Sequence, residues 1–209
     1  IDMGSGNDTI SLMLTGSNGI TNISNANFAK LDGGTGVDTL SFEESTVANG
    51  TTLSLTTGGA TNFENLTGSA SVETLNGDAN ANTIKGKGGA DTIYGNGGAD
   101  ILYGHSSDGG GASSQSGNDN LYGGAGDDSL YGTAGENILD GGTGKDTMYG
   151  GNGADTFVLR AGDGNSTLAN ANVIADFQNG TDVFALEEGL TYNSLTLSQG
   201  TGANISNTI

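Results

Sequence analysis

Gly123-Gly124-Ala125-Gly126-Asp127-Asp128-Ser129-Leu130-Tyr131 reads Gly-Gly-x-Gly-x-Asp-x-U-x, where U is a large apolar residue. The same nine letters return at Gly141-Gly142-Thr143-Gly144-Lys145-Asp146-Thr147-Met148-Tyr149 and at Gly150-Gly151-Asn152-Gly153-Ala154-Asp155-Thr156-Phe157-Val158. Gly33 to Ser41 is a fourth copy, with Asp38 and Leu40 in the acidic and apolar places. Gly86 to Tyr94 and Gly95 to Tyr103 lack only the second glycine, and Met3 to Ser11, with Asp8, fits from its second position onward. Between these units the U positions keep step: Leu66, Leu75, Ile84, Ile93 and Leu102, then Leu121, Leu130, Leu139, Met148 and Phe157, nine apart in each run. Two places before each stands Glu64, Glu73, Asn82, Asp91 or Asp100, then Asp119, Asp128, Asn137, Asp146 or Asp155. A flexible glycine-rich tract has no reason to hold an apolar residue at every ninth place.

Nine residues divide into a six-residue loop and a three-residue strand, x-U-x. Neighbouring side chains of a strand point to opposite faces, so U faces inward and its neighbours outward. Two such half-turns, eighteen residues, close one coil, and coils stack about 4.8 Å apart. The fold expected is all-β: a parallel β-roll, a β-helix solenoid with a C-terminal β cap. One apolar residue per strand makes a thin core, set against a chain entropy of roughly 1–2 kcal/mol per residue. Composition sharpens the problem. Only 33% of the 209 residues are hydrophobic, 40 are glycine, and the formal net charge is -19. Low hydrophobicity with high net charge is the signature of disorder. Either the chain is unfolded, or something other than an apolar core supplies the folding energy.

The stacked loops point to that agent. Position six of one loop lies one coil from position six of the loop eighteen residues on, which pairs Glu73 with Asp91, Asn82 with Asp100, Asp119 with Asn137, Asp128 with Asp146 and Asn137 with Asp155. Carboxylates at that spacing repel unless a cation lies between them. Calcium accepts six to eight oxygens in a flexible cage, whereas magnesium demands an octahedron. Zinc prefers nitrogen or sulfur, and the chain has one histidine and no cysteine. Without cysteine there is no disulfide framework either. The acidic balance argues against nucleic acid and anionic membrane as partners, and no apolar run is long enough to span a bilayer.

From about Gly59 to Val158 the sequence resembles the calcium-binding β-roll of RTX (repeats-in-toxin, hemolysin-type) proteins, which leave bacteria by type I secretion. The resemblance implies a right-handed roll with calcium between neighbouring loops, held by the position-six residue and by carbonyls of positions one and three, or two and four. Carried over, the ligands are Gly123, Gly124, Ala125 and Gly126 with Asp128; Gly141, Gly142, Thr143 and Gly144 with Asp146; and Gly150, Gly151, Asn152 and Gly153 with Asp155. Gly86 and Gly89 with Asp91, Gly95 and Gly98 with Asp100, and Gly117 with Asp119 extend the set, together with Asp8 and Asp38. Asn82 and Asn137 keep an oxygen but lose charge, so weaker sites are expected there. Glu64 and Glu73 depart further from the pattern. Roughly six to eight calcium ions would cancel most of the net charge.

Three segments are expected. Residues 1–58 form irregular coils with two isolated motifs, with strand-like runs at Ile10 to Leu14 and Leu53 to Leu55. Residues 59–158 form the regular roll, interrupted by a loop at about 104–113 that keeps Asp91 stacked on Asp119 and Asp100 on Asp128. Residues 159–209 form a flanking β segment, in which Asp176-Phe-Gln-Asn-Gly-Thr-Asp182 resembles the stretch that caps RTX arrays; Asp176 and Asp182 are candidates for a further calcium. No signal peptide is visible; Ile1 at the start leads to the expectation of a longer parent chain, and the RTX resemblance implies a secreted or cell-surface protein. No catalytic constellation occurs: His105, the lone histidine, reads as a solvated loop residue, and no nucleophile or zinc-protease motif is present. Tyr103, Tyr131 and Tyr149 should stack outward on one sheet, and Tyr94 and Tyr122 on the other. Such a strip offers the alternative function, a polysaccharide-binding module. The outward loop positions are too irregular for an ice-binding array.

Overall fold

The computed structural model describes residues 1–13, 31–55, 60–105, 117–163 and 170–195. Leu14, Gly59, Leu197 and most of the loop expected at 104–113 lie outside the described residues. Each x-U-x unit is a strand, because alternate side chains divide between a dry interior and water. One sheet runs in the order β1 (Thr9–Ser11), β2 (Thr39–Ser41), β4 (Asn65–Thr67), β6 (Thr83–Lys85), β8 (Ile101–Tyr103), β10 (Ser129–Tyr131), β12 (Thr147–Tyr149), β14 (Val173–Ile174). The other runs β3 (Thr51–Ser54), β5 (Glu73–Asn76), β7 (Thr92–Gly97), β9 (Asn120–Ala125), β11 (Ile138–Thr143), β13 (Thr156–Leu159), β15 (Val183–Leu186). Every pairing between these strands is parallel. From β2 onward, consecutive strands alternate between the sheets, which is the topology of a parallel β-roll.

The interior is the ladder of U residues. Leu40, Leu53, Leu66, Leu75, Ile84, Ile93, Leu102, Leu121, Leu130, Leu139, Met148 and Phe157 are all fully buried. They stack in register, Ile84 on Leu102 on Leu130 on Met148 in one sheet, and Leu75 on Ile93 on Leu121 on Leu139 on Phe157 in the other. Each strand thus contributes one side chain, and the core is a double file of residues between two sheets. Outside, the tyrosines stack as their positions require, with ring centroids 4.9 Å apart for Tyr94–Tyr122, Tyr103–Tyr131 and Tyr131–Tyr149.

The coil length varies where the sequence departs from the motif. Ile93 pairs with Leu121, and Leu102 with Leu130, 28 residues apart, so ten residues are extra to the repeat there. Gly104 takes position one of the Asp119 loop and Gly117 position four. A Cβ at Gly104 would lie 2.3 Å from Asp119 Oδ2, and one at Gly117 would strike the Gly89 carbonyl of the preceding coil. The extra residues therefore enter between these two points. His105 opens this stretch and is half-buried, with Nδ1 sequestered, rather than solvated. Near the N-terminus, Ile10 pairs with Leu40 at a separation of 30 and Leu40 with Leu66 at 26.

The C-terminal segment continues the roll rather than forming a hairpin on it. β14 adds in parallel to β12, and β15 to β13. Phe177 then stands at position one of the Asp182 loop, where most other loops carry glycine. It stacks on Phe184 at 4.6 Å and tilts against Phe157 at 6.0 Å, closing the end of the core. Arg160 bridges Asp140 of β11 to Glu187, just after β15, and staples this last coil in place. Within the expected flanking β segment, Tyr192–Ser194 is a 3-10 turn. Among the described residues no helix is long and apolar enough to cross a membrane.

Candidate metal centre

Each loop places its position-six side chain beneath the coil above. The buried carboxylate accepts, through Oδ1, the backbone N–H of position six in the preceding coil. The bonds run Asp8 N to Asp38 at 2.7 Å, Glu73 N to Asp91 at 2.8 Å and Asn82 N to Asp100 at 2.7 Å. They continue with Asp91 N to Asp119 at 2.8 Å, Asp100 N to Asp128 at 2.7 Å, Asp128 N to Asp146 at 3.0 Å and Asn137 N to Asp155 at 2.9 Å. All the stacked pairs read from the eighteen-residue repeat meet in this way, Asp119 and Asn137 included.

The second oxygen tells more. Oδ2 of Asp8, Asp38, Asp91, Asp100, Asp119, Asp128, Asp146 and Asp155 is buried and has no hydrogen-bond partner. A buried carboxylate oxygen left this way is costly. Burial accordingly pushes the Asp91 carboxyl up to about 8 and those of Asp100, Asp119, Asp128 and Asp146 up to about 6. Around each such oxygen the backbone turns further oxygens inward. A Cβ at Gly123 would lie 2.4 Å from Asp128 Oδ2 and 2.5 Å from the Gly141 carbonyl of the next coil. At Gly86 the corresponding oxygens are Asp91 Oδ2 at 2.5 Å and the Gly104 carbonyl at 2.4 Å, and at Gly95 they are Asp100 Oδ2 at 2.3 Å and the Gly123 carbonyl at 2.5 Å. From the other side the carbonyls of positions two and four point down: that of Gly124 at Gly142, and that of Gly126 at Gly144. Each interval between such loops is thus lined by position-two and position-four carbonyls from above, a position-one carbonyl from below, and carboxylates of both coils.

This donor set fits calcium, all oxygen, flexible and anionic. No three acidic or histidine side chains converge on one point among the described residues. The cage is instead mostly main chain, with one carboxylate per loop. The position-three carbonyls of Thr143 and Asn152, expected as ligands, accept the N–H groups of Gly126 at 2.9 Å and Gly135 at 3.0 Å. They tie loop to loop, as the position-two carbonyls of Gly4 and Thr133 also do by accepting Thr35 N at 2.9 Å and Asn152 N at 2.7 Å.

Position two sorts the loops that leave an oxygen unpaired, except that of Asp119, whose position two, His105, has no positive φ. In the loops of Asp8, Asp38, Asp91, Asp100, Asp128, Asp146 and Asp155 it lies in the left-handed region: Gly4, Gly34, Lys87, Asn96, Gly124, Gly142 and Gly151 all have φ between 76° and 109°. Ser69, Asp78 and Gln178 occupy position two without a positive φ, and their N–H turns onto the position-six side chain. Ser69 N and Oγ bond both oxygens of Glu73, Asp78 N bonds Asn82 Oδ1 at 2.8 Å, and Gln178 N bonds Asp182 Oδ2 at 2.7 Å. Asp182 Oδ1 takes Asp155 N. Asp176 accepts Gly150 N and Gly151 N, one on each oxygen. Asp176 and Asp182, read from sequence as a further calcium pair, are thus engaged by N–H groups and seal the last loops. One residue that the sequence reading passed over takes position six elsewhere: Asn172 accepts Asp146 N at 2.9 Å, while Glu64, already read as a position-six residue that departs from the pattern, accepts Asp38 N at 2.8 Å. Asn172 was findable, since it stands two places before the apolar Ile174.

A family model, the RTX calcium-binding nonapeptide repeat, matches the chain in four copies over residues 67–109, 114–147, 122–157 and 131–168. No curated protein matches it.

Proposed function

Through residues 67–168 the chain belongs to the RTX calcium-binding nonapeptide-repeat family, and on that premise we propose that it is a module which calcium folds after export, within a larger extracellular bacterial protein. Calcium, when bound, supplies positive charge between oxygens that otherwise repel. The observation that carries the reading is the set of buried, unpartnered Oδ2 atoms repeated along both edges of the roll. Without a cation, these carboxylates oppose folding, and the double file of apolar residues is a weak counterweight. A chain of this kind stays extended where free calcium is scarce, as in the cytosol, which suits passage through a type I secretion channel. Extracellular calcium modules bind at about 10⁻⁴–10⁻³ M, and binding free energy is then folding free energy.

A circular-dichroism titration of the 209-residue chain tests this. Calcium in the millimolar range should convert a disordered spectrum to a β spectrum cooperatively, and magnesium should not. A full β spectrum in excess chelator would defeat the reading.

The polysaccharide alternative gains little from the geometry. Sugar stacking needs free ring faces, and the tyrosines present theirs to one another at 4.9 Å. Nothing in the described residues supports an enzyme.

A further inference from the structure

We propose that the side-chain amide of Asn137 takes the place of a cation, so that the interval between the Asn137 and Asp155 loops takes up no calcium. The inference rests on the calcium reading above and narrows it to a single interval.

Asn137 Oδ1 accepts the N–H of Asp119 at 3.0 Å, the bond that aspartate makes in the neighbouring loops. That N–H requires an acceptor, so the amide orientation is settled and Nδ2 falls where other loops hold Oδ2. Nδ2 lies 3.0 Å from Asp155 Oδ1, 3.3 Å from the Gly135 carbonyl and 3.4 Å from the Gly150 carbonyl. These are position six of the next loop, position four of its own and position one of the next. The same three classes of oxygen surround the intervals in the aspartate loops. A Cβ at Gly132 would meet the Gly150 carbonyl at 2.6 Å and Nδ2 at 2.8 Å, matching the Gly141 carbonyl and Asp128 Oδ2 around Gly123. Asn137 thus sends two protons into a cage that its neighbours face with an anion, and a dication entering there would meet N–H dipoles of its own sign.

Asn82 shows that the asparagine alone does not decide this. Its Oδ1 faces the cage, 2.4 Å from a Cβ at Gly77, while Nδ2 turns away to Asp78 Oδ1 at 3.3 Å. Position two makes the difference: Asp78 donates its N–H to Asn82 Oδ1, whereas Thr133, with φ 82°, does not offer one to Asn137.

The test is native mass spectrometry of the full chain and of Asn137→Asp at saturating calcium. The variant should carry one more calcium ion than the wild type. Equal counts, with the variant merely binding more tightly, would overturn the proposal while leaving the calcium module intact. A wild type that takes up no calcium removes both. Should Asn137→Asp fail to fold, NMR of the ¹⁵N-asparagine wild type in calcium decides instead. One side-chain NH₂ pair should resist solvent exchange, and free exchange of every such pair would refute the assignment.

Discussion

At the scale of the residue, the chain depends on what glycine omits. Gly123 has no positive φ, so its need for hydrogen at Cα is one of space: a methyl there would occupy the point 2.4 Å from Asp128 Oδ2 and 2.5 Å from the Gly141 carbonyl. Gly123→Ala should therefore weaken the roll by about 1–3 kcal/mol, the usual cost of overpacking, and shift the calcium midpoint upward. Gly97→Ala is the control, because its nearest neighbour would be 3.6 Å away; its midpoint should match the wild type. Equal shifts for the two would show that glycine serves chain flexibility rather than the oxygen cage. Position six was legible in sequence as chemistry. Its finer state was not, since Asn82 and Asn137 are the same letter in the same place and present opposite ends of the amide.

At the scale of the element, a strand such as Ser129–Tyr131 has three residues and two duties. Leu130 faces in and is fully buried; Tyr131 faces out between Tyr103 and Tyr149. Leu130→Ala removes one rung from the double file of the core and should cost about 2–5 kcal/mol. Tyr131→Ala loses cross-strand stacking, about 0.2–1 kcal/mol per pair. Denaturant unfolding in calcium measures both, and a tyrosine cost equal to the leucine cost would mean that the outer ladder, not the inner file, holds the sheet. The strands, their register and the tyrosine stacks follow directly from the nine-residue repeat. The C-terminal element did not, because parallel addition of β14 and β15 depends on Ile174 and Phe184 finding the core, across separations of 26 and 27 residues that no fixed period predicts.

At the scale of the molecule, the coil accommodates extra chain between Gly104 and Gly117. Ile93 meets Leu121 and Leu102 meets Leu130 with ten residues more than the repeat requires. Deleting residues 106–115 joins His105 to Ser116 and restores the eighteen-residue coil, with Gly104 and Gly117 still at positions one and four. The shortened chain should keep its calcium count, with stability within about 1 kcal/mol, since loop length alters closure entropy only slowly. Loss of cooperative folding would show that the extra residues belong to the roll. Closure at the far end is likewise a whole-chain property: Phe177 at position one and the Asp140–Arg160–Glu187 bridge bring together segments up to 47 residues apart.

Residue order alone determined the roll, its two sheets and the acidic ladders, because a nine-residue period admits one way to hide an apolar side chain per strand while stacking a carboxylate per loop. The partners of those carboxylates were decided only in three dimensions. Whether an oxygen stays unpaired depends on the backbone angle at position two and on which N–H the folded loop turns toward it, and Ser69, Lys87 and Thr133 do not announce that choice by their chemistry.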